Sequence, residues 1–212
     1  MIRINKGNEP IEWTRYCATD GVDYARIPEL ALALLREQGF ICAYCMRKIP
    51  TTVAEKGINS VIEHIKCRAN YDHLKLSYSN MVICCPGRIN SEAHCDDSKG
   101  NLDITFNLFS PLLEQSIKYI SKNGSIYSTN ATWNNEINNV VKLNNSLLRK
   151  NRLKALEGVQ QLLEKEGWRT SVITTQLEYW NSLHIDTTDN EMKRIEYCGI
   201  VIWYLQKALV RP

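Results

Sequence analysis

The residues of this chain whose types and spacing suit chemistry crowd into one stretch, Cys42 to Asn101. Cys42-x2-Cys45 opens it. Two residues between thiolates let both sulfurs reach one tetrahedral ion from a tight turn, the spacing of a zinc knuckle. A second pair must come from Cys84, Cys85 and Cys95, and Cys85 with Cys95 is the expected choice. Cys85 stands at odd offset from Asn80, so on a strand the two side chains project from opposite faces, one toward a zinc and one toward a reactive site. Cys84 is the alternative ligand, because the nine residues between Cys85 and Cys95 exceed the roughly two to four usual in zinc sites. Buried free thiols and a redox CxxC are the competing readings, the latter disfavoured because no βαβ pattern surrounds the motif. Cys17, Cys67 and Cys198 read as buried small hydrophobes.

Glu63-His64 lies between the cysteine pairs. Adjacent strand residues point to opposite sides, so both serve one site only at a strand end or bulge. There His64 suits a general base and Glu63 a hard oxygen ligand for Mg²⁺. Asp96, in the first turn of a short helix, offers a second carboxylate. Asn80 is placed to hydrogen-bond backbone and fix the loop that carries His64. Taken singly, a histidine is more often structural and an aspartate after a cysteine more often a helix cap; their joint occurrence inside a cysteine frame is the signal.

The elements that must position these residues can be read from the flanking pattern. Residues 1 to 26 look irregular. A helix is expected to start at Pro28, with Ile27, Leu30, Ala31, Leu34 and Leu35 forming one apolar face, and to stop at Gly39. Residues 58 to 65 and 77 to 85, rich in Val, Ile and Tyr, read as strands. Pro86 to Ala93 reads as a polar loop, and a short helix begins near Cys95. Asn123-Gly124 centres a hairpin over Lys118 to Ser128. One long helix is expected from about Asn135 to Glu166, ended by Gly167, then another from Ser171 to Leu183. A last, apolar helix is expected to open with Thr188-x-x-Glu191 as a capping box. The fold class is therefore α+β and mostly helical.

Bulk properties set outer limits. The 212 residues carry 44% hydrophobic and 23% charged side chains, ordinary for a soluble globular protein. A net charge of +3 requires any nucleic-acid surface to be a local patch. MIRINKGNEP lacks the apolar core of a signal peptide, and the longest apolar run, Cys198 to Leu205, is far short of a membrane span. A cytoplasmic protein with reduced thiols is the expectation, and eight cysteines then favour a metal site over disulfides. Lys142, Arg149, Lys150, Arg152 and Lys154 form a basic stretch without acids on the long helix, either a phosphate-tracking surface or a solvated helix face.

The pattern resembles the HNH endonucleases of the ββα-metal fold. Glu63-His64 matches their (D/E)-H dipeptide at the end of the first strand, Asn80 their central Asn, Cys85 their third cysteine, and Cys95-Asp96-Asp97-Ser98-Lys99-Gly100 their closing segment. Two departures are an Asp where His or Asn is more usual and an expanded loop between the closing cysteines. The HCD-x-x-KG ending, the opening MIRINKGNEP and the KLNNSLLRKNR segment look similar to the HNH subfamily of retron and Septu-type anti-phage systems. The resemblance implies a 42–104 nuclease core stapled by structural zinc, an N-terminal arm and helix over 1–41, and a hairpin with a helical region over 105–212. It implies Mg²⁺-dependent hydrolysis of phosphodiesters, DNA before RNA or tRNA, with His64, Asn80, Asp96 and Glu63 as site residues. Arg68, Arg88 and Lys99 become candidate phosphate clamps, joined by Arg149, Lys150 and Arg152. It also implies an ABC-type or AAA-like ATPase partner, within a retron reverse transcriptase–msDNA complex, and no membrane. The competing function is a zinc-stapled binding module that does not cleave.

Overall fold

Trp13 is fully buried and its indole Nε1 donates to the Leu76 carbonyl at 3.1 Å, which pins a short helix, α1 (Ile11–Cys17), in the segment expected to be irregular. Seven residues with one buried side chain are too few to show a helical period. Cys17, at its end, is half-buried rather than interior. α2 (Pro28–Gln38) follows the expected limits, with Leu30, Ala31, Leu34 and Leu35 buried and Gly39 closing it at φ 63°. The computed structural model describes residues 1–50, 60–89 and 92–210.

β1 (Val61–His64) and β2 (Met81–Cys84) pair antiparallel, Glu63 opposite Val82 and His64 opposite Met81. The first strand was expected from residue 58, and its first positions lie outside the described residues. The second begins later than expected because Tyr78–Asn80 form a 3₁₀ turn. Within the segment expected to be a loop, β3 (Arg88–Ile89) and β4 (Glu92–Ala93) pair antiparallel. Gly87, at φ +80°, permits it: a Cβ there would lie 2.0 Å from the His94 carbonyl oxygen. α3 (Cys95–Lys99) comes directly after.

Beyond α3, α4 (Pro111–Ser116) leads into β5 (Ile117–Ile120) and β6 (Ser125–Ser128), the expected hairpin around Asn123-Gly124. The long helix expected from Asn135 is broken. α5 (Ala131–Asn135) runs into a π turn over Glu136–Val140, and α6 (Ser146–Glu166) restarts behind Asn145, whose side chain accepts from the Leu148 amide. Asparagine side chains cause the break by competing for backbone. Asn144 bonds both the Ile126 amide and carbonyl, at 2.9 and 2.8 Å, and Asn138 donates to the Asn134 carbonyl. α7 (Thr170–Asn181) precedes a hairpin of β7 (His184–Asp186) and β8 (Glu191–Lys193). Thr188 is in that hairpin's turn, donating with its amide and hydroxyl to Asp186 Oδ1, so it caps no helix; α8 (Cys198–Leu209) starts later.

The result is an α+β fold with small antiparallel sheets. α8 is apolar nearly all round and contacts α6, α7 and β5, while α2 contacts β2. Buried residues from 1–41, 42–104 and 105–212 join one hydrophobic core, in which the four frame cysteines are included. Among the described residues no helix is long and apolar enough to cross a membrane.

Candidate metal centre and carboxylate site

Ile41 bridges to Lys48, and between them the Cys42 amide bonds the Arg47 carbonyl while the Met46 amide bonds the Cys42 carbonyl. This knuckle turns Cys42 and Cys45 toward one point, with Met46 at φ 61°. Cys85 leaves β2 to face them, and Cys95 opens α3 at φ 52°, its amide anchored on the Val141 carbonyl at 2.9 Å. The four sulfurs lie within 4.8 Å of one another, with Cys42–Cys95 at 3.8 Å and Cys45–Cys85 at 3.7 Å. A tetrahedral zinc with sulfurs at its usual distance has edges of about 3.8 Å. A disulfide would need sulfurs at about 2 Å. Four buried cysteines are thus spaced to hold a metal ion and fit structural zinc. Cys84, the alternative, is paired within the sheet opposite Val61 and is outside the four-sulfur group. His94, one residue before Cys95, reaches Cys85 Sγ with Nε2 at 3.7 Å. Its position beside a ligand was visible in the sequence, though nothing there marked it as a partner of the sulfurs.

His64 is the last residue of β1, the strand end that lets it and Glu63 serve one region. Its Nε2 lies 2.9 Å from the Lys75 carbonyl oxygen. A carbonyl only accepts, so Nε2 carries the hydrogen and the neutral ring keeps its lone pair on Nδ1. Burial lowers the His64 pKa from its ordinary value, which favours that neutral ring. Tyr24 packs edge-on against the imidazole, centroids 4.6 Å apart, and the Arg68 guanidinium lies 4.6 Å from the Tyr24 ring centre. Asn80 closes the loop between the strands as expected. Its Oδ1 accepts from the Lys66 amide at 2.8 Å, and its Nδ2 donates to the carbonyls of Lys66 at 2.9 Å and Leu74 at 3.3 Å.

Glu63 is 5% exposed. Its pKa is pushed up to about 8, first by burial and next by a side-chain contact with Asp96, against the pull of Lys99. Two carboxylates therefore meet across β1 and the first turn of α3. Glu63 Oε1 also receives Lys99 Nζ at 2.8 Å and the Tyr44 hydroxyl at 3.1 Å. Tyr44 sits between the knuckle cysteines, and its placement inside CAYC is the one sequence signal for this contact.

Several expected phosphate contacts change character. Lys99 is not a surface clamp: its side chain is 0% exposed and bonded to Glu63 and the His64 carbonyl. Arg152 is no nucleic-acid contact either. It is fully buried, with Nη1 on the Gly124 carbonyl at 2.8 Å and Nη2 on the Leu143 carbonyl, which seats the β5–β6 turn on α6. Arg149 is half-buried, whereas Lys142, Lys150 and Lys154 are exposed. Arg88 is exposed but ion-paired with Asp97 at 3.0 Å. Arg68 is exposed beside the His64 end of the hairpin.

No known protein-family model matches the chain, and no curated protein matches it.

Proposed function

We propose that this chain is a divalent-metal-dependent endonuclease of the HNH type, with β1, β2 and α3 as its ββα-metal core and a zinc held by Cys42, Cys45, Cys85 and Cys95. The observation that carries the reading is the meeting of Glu63 and Asp96 next to a neutral His64, at the end of a hairpin whose loop Asn80 closes. In this reading His64 Nδ1 takes a proton from a water whose oxygen attacks the phosphorus, and the P–O bond to the 3′ oxygen breaks as that oxygen leaves. Glu63 and Asp96 would hold the divalent ion, and a buried carboxylate in contact with a half-buried one fits a site that a cation compensates. Such an ion would supply charge stabilisation to the phosphate oxygens. Asn80 keeps the His64 loop in place, and exposed Arg68 faces the substrate phosphate. The four-cysteine cluster does no chemistry and fixes Cys95, hence the start of α3 that carries Asp96. By the sequence resemblance, the chain acts as the nuclease of an anti-phage assembly gated by a partner ATPase.

A zinc-stapled binding module is the alternative, and one observation favours it: Lys99 already neutralises part of the charge on Glu63. Incubation with plasmid DNA and with total tRNA, in Mg²⁺ or EDTA, separates the two. The nuclease cleaves one of these pools in Mg²⁺ and loses cleavage both in EDTA and in His64→Ala. A folded, zinc-loaded chain that binds a pool without cutting it in any condition supports the binding module.

A further inference from the structure

We propose that Lys99 is a positioning residue of this site, clamping Glu63 by one oxygen so that only the other faces an incoming divalent ion. The role rests on the nuclease reading above and deepens it. Lys99 Nζ donates to Glu63 Oε1 at 2.8 Å and to the His64 backbone carbonyl at 3.2 Å, so one ammonium ties together the residues assigned to ion binding and proton transfer. The Tyr44 hydroxyl falls on the same Oε1. Both contacts fall on Oε1, and Oε2 is assigned to the ion shared with Asp96.

The anchoring is also mechanical. α3 is five residues long; its first residue, Cys95, belongs to the four-sulfur cluster and its last is Lys99. The helix is therefore fastened at one end by sulfur and at the other by the carboxylate it must face. A lysine with 0% side-chain exposure has no path to a nucleic-acid phosphate, so its charge acts inside the protein. One-oxygen presentation by two carboxylates suits a small octahedral ion that keeps several waters, Mg²⁺ or Mn²⁺, over Ca²⁺, which takes about six to eight oxygens and accepts bidentate carboxylates.

The test compares wild type, Lys99→Met and Lys99→Met/Glu63→Gln, the last relieving any lone buried carboxylate. Mn²⁺ binding is followed by electron paramagnetic resonance, zinc content by elemental analysis, and cleavage of the DNA or RNA that wild type cuts by kcat and KM. The expected result is full zinc in all three. In Lys99→Met, Mn²⁺ binding weakens about tenfold or more and kcat falls about a hundredfold, with KM and its salt dependence unchanged. The preference for Mn²⁺ over Ca²⁺ also narrows. Unchanged Mn²⁺ affinity and kcat overturn the role, as does a raised KM whose salt slope drops by about one, the mark of a phosphate contact. Should Lys99→Met not fold, Tyr44→Phe carries the test. It removes the other Oε1 donor and is expected to weaken Mn²⁺ binding about threefold, and unchanged binding there also overturns the clamp. A wild type that neither binds Mn²⁺ nor cleaves overturns the nuclease reading and this role with it. A wild type that does both, unaffected by Lys99→Met, overturns the role alone.

Discussion

The sulfurs of Cys42, Cys45, Cys85 and Cys95 and the carboxylates of Glu63 and Asp96 approach α3 at neighbouring residues, Cys95 and Asp96, yet the two clusters are built differently. The four sulfurs lie within 4.8 Å of one another, with Cys42–Cys95 at 3.8 Å and Cys45–Cys85 at 3.7 Å. That geometry suits a permanently held ion. The carboxylates number two, and the protein supplies its own partial counter-charge in Lys99. A group of acids with a built-in ammonium tolerates an empty state, as an exchangeable ion requires. In the proposed reading this difference separates a staple from a working site at adjacent residues of the five-residue α3.

The largest expected effect is on the staple. Cys95→Ser should lose the zinc and more than about 4 kcal/mol of stability, since α3 and the knuckle then have no common anchor. Metal content and urea unfolding read this out, and a zinc-free variant of unaltered stability breaks the comparison. Arg152 sharpens it from outside, as a buried cation whose Nη1 and Nη2 donate to carbonyls and not to a carboxylate. Arg152→Ala should remove about 3 kcal/mol, through lost packing and unpaired carbonyls on the β5–β6 turn. The folded fraction should bind nucleic acid with unchanged salt dependence; a shallower slope would return Arg152 to the phosphate-binding set. Asn80→Ala tests the loop on the carboxylate side. It leaves the Lys66 amide and two carbonyls without their partner and should reduce stability by about 2 kcal/mol. Zinc content should stay intact, measured on the same sample.

The smallest effect is on pH. Glu63 is raised in the folded protein to about 8, above its ordinary 4.5, by burial first and by Asp96 next. Its protonated form therefore contributes stability that is complete below about 4.5 and is lost as pH rises through about 8. An ion at this site must displace that proton, so Mn²⁺ affinity should grow about tenfold per pH unit up to about 8 and then level off. Thermal unfolding with and without Mn²⁺, between pH 6 and 8.5, should show a Mn²⁺ stabilisation that increases with pH. A pH-independent increment would place the ion elsewhere.

The cysteine frame was legible in the sequence because knuckle spacing is local: two residues between Cys42 and Cys45 admit few turns. Asn80 was legible for the same reason, as a short polar side chain at the mouth of a hairpin. Lys99 and Arg152 were not. Both look like members of basic surface segments, and their burial depends on Glu63 and Gly124, partners distant in sequence whose approach no local period encodes. The break before α6 was hidden because the apolar positions keep a helical period across it, while Asn144 and Asn138 spend their side chains on β6 and on the preceding turn. The hairpin at Thr188 was mistaken for a cap because Thr-x-x-Glu fits both, and only Asp186, accepting from Thr188, decides between them.

The most direct measurement follows cleavage and divalent occupancy together, in one Mn²⁺ titration of the zinc-loaded protein, with Glu63→Gln and Asp96→Asn in parallel. The account predicts that cleavage rises with occupancy of one Mn²⁺ site, that zinc content stays constant, and that either variant loses both. Cleavage independent of Mn²⁺ occupancy, or a Mn²⁺ site that survives both substitutions, would contradict it.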